Sequence, residues 1–117
     1  MLRDFLQAKK VYIVCGKTDL RKGMDGLASL IQQEYELDVY EDAVFLFCGN
    51  RTDRFKLLYW DGDGFLLGYK RIENGKLKWP RKKEEIRTLT SQQIRWLLEG
   101  LQVDQPKAIQ PGTKGHF

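Results

Sequence analysis

The sequence is poor in the groups that perform covalent chemistry. It holds one histidine, His116, and two cysteines, Cys15 and Cys48, in 117 residues. A Ser/His/Asp or Cys/His nucleophile needs a base held in place by packing and supporting hydrogen bonds. His116 instead sits among Pro111, Gly112 and Gly115, in a stretch with little apolar content. Each cysteine ends an apolar run, which reads as two buried, reduced thiols rather than a disulfide. Long hydrophobic runs are also missing. The longest, Val11–Cys15 and Ala43–Cys48, fall far short of the roughly 20 residues that span a bilayer. The first ten residues contain no apolar h-region, so no secretory signal and a cytoplasmic protein are expected.

What remains is the composition of a globular domain, with 42% hydrophobic and 31% charged residues. The length suits one folded unit, expected over residues 1–102, followed by a mobile tail over 103–117 that carries Pro106, Pro111, Gly112 and Gly115. The formal charge of +4 conceals an asymmetry. Residues 1–49 carry a net −2, with an acidic patch at Glu34, Glu36, Asp38, Glu41 and Asp42; residues 50–87 carry a net +5; the remainder carries +1. Such polarity suits a protein that turns one surface toward a polyanion.

Val11–Cys15 is continuously apolar and β-branched and stops at Gly16, as expected of a strand buried on both faces. Met24, Leu27, Ala28, Ile31 and Tyr35 follow at helical spacing, with Gly23 and Gly26 weakening the first turn. Ala43–Cys48 reads as a second buried strand. Beyond Arg51 the pattern becomes one of hairpins, Phe55–Trp60 turning at Asp61–Gly64 into Phe65–Ile72. Asn74-Gly75 suits a type I′ turn and predicts a further hairpin in which Arg71 faces Lys78 and Lys70 faces Trp79. Thr90-Ser91-Gln92-Gln93 is a capping box opening a helix with Ile94, Leu97, Leu98 and Leu101 on one stripe and Gly100 at its C-terminal end. The expected class is α+β: strand, helix, strand, an antiparallel meander of two hairpins, and a C-terminal helix packed on the sheet.

Two chemical motifs fail on inspection. Gly16-Lys17-Thr18 between strand and helix invites a phosphate-loop reading, but the required earlier glycine falls on Val11, inside the strand. Thr18 and Asp19 are better read as turn-capping residues. Asp61-Gly62-Asp63-Gly64 opens like a calcium loop, yet its fifth and sixth positions are Phe65 and Leu66. Asp19, Asp25, Asp53, Asp61 and Asp63 are the carboxylates that could hold Mg²⁺ for phosphoryl transfer, but turns and ion pairs explain each of them. No cofactor or metal is expected.

The basic segment is the stronger lead. Arg51, Arg54, Lys56, Lys70, Arg71, Lys76, Lys78, Arg81, Lys82, Lys83 and Arg87 interleave with Phe55, Tyr59, Trp60, Tyr69 and Trp79, and the first seven are the candidate contacts. Like charges facing across a ribbon destabilise it, whereas a polyanion laid over them reverses that sign through counterion release. Arg21 and Lys22, after the first strand, complete the candidate nucleic-acid-binding set. No helix-turn-helix, zinc finger or basic zipper is present, so contact is expected with DNA backbone rather than with bases.

These residues also carry a resemblance. Residues 16–27, Gly-Lys-Thr-Asp-Leu-Arg-Lys-Gly-Met-Asp-Gly-Leu, resemble the signature of TnpB, an accessory protein family of insertion sequences of the IS-sixty-six type (distinct from the RNA-guided nucleases of the same name). Further matches follow in order: Asp53–Gly64, Lys70-Arg71-Ile72-Glu73 with Gly75, Trp79-Pro80, and Leu89-Thr90 with Gln93 and Leu97–Gly100. Together they span about residues 10–101. Gly49-Asn50 departs from the pattern, since at these two positions relatives often have Asn followed by a basic residue.

The resemblance implies a helper in transposition, acting with a separate element-encoded transposase and a second accessory protein. It carries over no catalytic residues. Three function classes therefore stand: a non-enzymatic accessory protein gripping DNA backbone, an adaptor docking on the transposase through the acidic patch or an exposed ribbon edge, and a Mg²⁺-dependent phosphoryl-transfer enzyme. The first is the expectation.

Overall fold

The computed structural model describes residues 1–106 and residue 109. Eight elements follow in order: α1 (Leu2–Gln7), β1 (Lys10–Val14), α2 (Met24–Glu34), β2 (Ala43–Phe47), β3 (Arg54–Trp60), β4 (Phe65–Arg71), β5 (Ile86–Leu89) and α3 (Ser91–Leu98). The strands form one mixed sheet in the order β4-β3-β2-β1-β5. β1 and β2 are parallel, joined through α2, and every other pairing is antiparallel. The class is α+β, as expected.

The sheet is covered on both faces, which is why β1 and β2 read as unbroken apolar runs. Val11, Ile13, Val44 and Leu46 point to one side, where Leu6 of α1 and Ile94 and Leu97 of α3 close over them with Phe55 and Leu57. Tyr12, Val14, Phe45 and Phe47 point to the other and meet Leu27, Ala28 and Ile31 of α2. Cys15 and Cys48 are buried free thiols. Burial raises the pKa of both, since it penalises the thiolate.

Both helix ends anticipated for α3 are present. The Thr90 hydroxyl accepts from the Gln93 amide at 3.1 Å while the Gln93 side chain accepts from the Thr90 amide at 3.0 Å, and Gly100 follows the helix with φ +79°.

The second hairpin is corrected. Residues 72–85 contain no strand, so the expected pairing of Arg71 with Lys78 and of Lys70 with Trp79 does not exist. Burial overrides the Asn-Gly turn signal: Leu77 and Trp79 sink into the core under the sheet, and the Leu77 amide donates to the Thr52 carbonyl at 2.7 Å. Among the described residues the last strand is β5, and its partner is β1, with Val11 opposite Leu89 and Val14 opposite Ile86. Packing also extends past residue 102. Val103 is 3% exposed and Asp104 pairs with Arg87 at 2.8 Å. Residues 107–108 and 110–117 of the expected tail, His116 included, lie outside the described residues.

Candidate nucleic-acid interface

Two loops leave the carboxyl ends of the parallel strands side by side, the position where open sheets with parallel strands present ligand sites. Gly16 turns the chain out of β1 with φ +82°, a conformation costly for any residue with a Cβ. Thr18 donates its amide to the Cys48 carbonyl at 2.8 Å, tying the loop after β1 to the end of β2. Asp19 then caps a turn. Its carboxylate accepts from the Arg21 amide at 3.0 Å and its carbonyl from the Lys22 amide at 3.1 Å.

Arg81 sits behind both loops and donates to the carbonyls of Gly16 and Gly49. Gly49 is itself tightly placed, since a Cβ there would lie 3.1 Å from the Thr18 carbonyl oxygen.

In front of these loops lies an open cavity of about 950 Å³, lined by Lys17–Arg21, Gly49–Arg51, Arg54, Lys56, Leu67 and Tyr69. The sheet register explains the last four. Residues paired across β3 and β4 share a face, so Arg54 with Arg71, Lys56 with Tyr69 and Leu58 with Leu67 all lie on the α2 side. Lys56 reaches further and donates to the Lys22 carbonyl at 3.0 Å.

The nine candidate residues divide accordingly. Arg21, Arg51, Arg54 and Lys56 line the cavity. Arg71 lies beside it, cross-strand from Arg54, and Lys22 contributes its carbonyl to Lys56. Lys70 faces the other side of the sheet, opposite Phe55. Lys76 lies against the α3 end, where its carbonyl crowds Gly100. Lys78 lines a separate cavity of about 560 Å³ with Trp79, Arg81, Lys82, Lys83 and Arg87. The continuous cationic ribbon face expected from the second hairpin is therefore replaced by a cluster assembled from sequence-distant segments. Lys17 and Arg81 stood outside the candidate set, Arg81 figuring only as a member of the basic segment; a lysine following the glycine that ends a buried strand was the available signal for the first.

The arginines are partnered. Arg21 forms a bidentate pair with Asp19 through Nε and Nη2 at 3.0 and 2.9 Å, and this guanidinium holds the Asp19 carboxyl at about 2, well below its usual range. Arg54 pairs with Asp53 at 2.9 Å and Arg51 with the same carboxylate at 3.6 Å; hydrogen bonding from Arg54 lowers the Asp53 pKa. Arg71 pairs with Glu73 at 2.9 Å. Those carboxylates offset the repulsion between Arg54 and Arg71, which the register places face to face. Lys17 and Lys56 have no carboxylate partner among the described residues. Counting Asp19 and Asp53 against Lys17, Arg21, Arg51, Arg54 and Lys56 leaves an excess of three positive charges around the cavity.

Among the described residues, no group of three or more His, Cys, Asp or Glu side chains is placed to hold a metal ion, and no helix is long and apolar enough to cross a membrane.

The family model described as IS66 Orf2 like protein matches residues 9–108. The uncharacterized protein y4jC of Sinorhizobium fredii is 32% identical over 92 residues, covering 79% of each chain. The uncharacterized protein y4hO of the same organism is 30% identical over 108 residues, covering 92% of this chain and 94% of that one. No solved structure matches significantly.

Proposed function

The chain belongs to the IS66 Orf2-like family of insertion-sequence accessory proteins, and from that premise we propose that it serves transposition by gripping DNA backbone at the cavity beside β3 and β4, without breaking bonds itself. One observation carries this reading: five cations from the loop after β1, the loop after β2 and strand β3 converge on one open concavity. Their separation in sequence makes the convergence a product of the fold rather than of a local charge run.

The ion pairs within the cluster do not remove its capacity for phosphate. The Arg21–Asp19 and Arg71–Glu73 pairs are exposed and the Arg54–Asp53 pair is only part-buried, so their donors stay within reach of an incoming phosphate, and each phosphate neutralised releases condensed counterions. They set a modest affinity with a salt dependence. The same pairs speak against phosphoryl transfer, because Asp19 and Asp53 spend their lone pairs on guanidinium groups instead of presenting them to a catalytic cation.

The test is a salt titration of binding to element-end duplex by fluorescence anisotropy. Arg51→Glu and Lys56→Glu are expected to weaken binding across all sequences and to flatten the salt slope by about one unit per lost phosphate contact. Lys76→Glu, on the α3 side, is expected to have little effect. Absence of salt-dependent affinity, or equal sensitivity to all three, overturns the reading.

A second reading, docking on the element-encoded transposase, is favoured by a different surface. Tyr40 is 52% exposed and packs edge-on against Trp60 at 5.0 Å and tilted against Phe65 at 5.6 Å, with Asp38 and Glu41 beside it in the chain. An aromatic patch rimmed by carboxylates fits a basic, apolar segment of a partner protein. Co-purification with the transposase from nuclease-treated extract, lost in Tyr40→Ser, is its expected signature.

A further inference from the structure

Resting on the backbone-binding reading, we infer that the cavity takes single-stranded DNA in preference to duplex, with a base stacked on Tyr69. The ring belongs to the edge strand β4 and is 56% exposed, although it stands on the same face as Lys56 and Leu67. It is held rather than loose, because its hydroxyl accepts from Arg54 Nη1 at 3.3 Å. Leu67, two residues back on the same face, adds apolar surface to the lining. An aromatic ring next to a cationic concavity is the pairing by which single strands are bound without sequence preference, the cations following the backbone and the ring receiving a base.

Two further observations favour the single strand. At about 950 Å³ the cavity matches the upper range of small-ligand sites, and so accommodates an extruded nucleotide. In a duplex the bases are stacked inside and cannot reach Tyr69 without unpairing. The helices, moreover, are poor in cations. α2 contains no Lys or Arg, and α1 and α3 contain one each, Arg3 and Arg95, whereas helices that enter the major groove are commonly flanked and lined by basic side chains that hold the phosphates.

The experiment compares a labelled dodecamer of deoxythymidylate with the same strand annealed to its complement, by anisotropy at low salt. The single strand is expected to bind more tightly. Tyr69→Leu is expected to weaken single-strand binding about five- to 150-fold and duplex binding by less, so that the single-strand preference is lost, while Tyr69→Trp retains it. Because the side chain is exposed, both variants are expected to unfold at the wild-type denaturant midpoint. Equal affinity for the two forms, or a Tyr69→Leu variant with undiminished single-strand affinity, overturns this inference and leaves the backbone reading standing. Failure of both forms to bind overturns the backbone reading, and this inference with it.

Discussion

Trp79 donates its indole N–H to the Val14 carbonyl oxygen at 2.9 Å, joining residues 65 positions apart. The ring is buried, tilted against Phe55 with centroids 6.3 Å apart. The bond uses a carbonyl at the end of β1 and anchors residues 77–80 beneath the sheet. Trp79→Phe keeps most of the apolar burial but removes that donor, and is expected to cost about 0.5–1.5 kcal/mol in urea unfolding. Trp79→Ala adds a cavity and is expected to cost about 3–5 kcal/mol. Equal losses in the two variants would show that the hydrogen bond contributes nothing.

The same residue shows why part of the fold was hidden in the sequence. Asn74-Gly75 and the alternation on either side satisfy every local rule for a hairpin, and nothing near Trp79 reveals that its partner is Val14. The local signals that held were those with local causes: the Thr90–Gln93 capping box, the Gly100 C-cap, the β3–β4 turn at Asp61–Gly64, and the two-sided burial of β1 and β2. Strand β5 was missed because four residues, Ile86–Leu89, acquire their meaning only beside Val11–Val14. α1 was missed because six residues offer too little periodicity to read. The candidate site followed the same rule. Residue type identified Arg21, Arg51, Arg54 and Lys56 as a group, but only the register of β3 with β4 separated them from Lys70, and only the absence of a second hairpin separated them from Lys76 and Lys78.

Gly68 makes a prediction about that register. It lies opposite Leu57, and a Cβ at position 68 would sit 2.9 Å from the Leu57 Cγ. Gly68→Ala is therefore expected to force Leu57 from its place and to destabilise the fold by about 1–3 kcal/mol, despite the better strand propensity of alanine. Combining it with Leu57→Ala is expected to give a total loss smaller than the sum of the single losses. Strict additivity in a double-mutant cycle would contradict the close approach.

Arg81 makes a prediction about the loops. Its guanidinium is the shared donor to the Gly16 and Gly49 carbonyls, so Arg81→Gln is expected to cost about 1.5–3 kcal/mol for the lost charge-assisted bonds and to speed amide exchange at Thr18, whose bond to Cys48 depends on the same spacing. DNA affinity is expected to fall with it, although Arg81 lies behind the cavity-facing cations rather than among them. Exchange at Thr18 unchanged by the substitution would show that the loops hold their position without the clamp.

Asp19 and Asp53 restrain the arginines they pair with, and that gives the most direct prediction at the site. The Asp19 pKa is depressed to about 2 from an ordinary 3.8 by Arg21. A depressed carboxyl stabilises the folded state above its unfolded pKa and loses that contribution as the pH falls through the folded value, so Asp19 remains charged down to about pH 2. Carboxyl NMR is expected to place its midpoint there and to move it upward in Arg21→Gln. At neutral pH its charge always opposes an incoming phosphate. Asp19→Asn and Asp53→Asn each remove one such charge and release guanidinium donors, so each is expected to tighten DNA binding and to steepen its salt dependence. Weaker binding in both variants would mean that the carboxylates orient the arginines for contact rather than compete with the ligand for them.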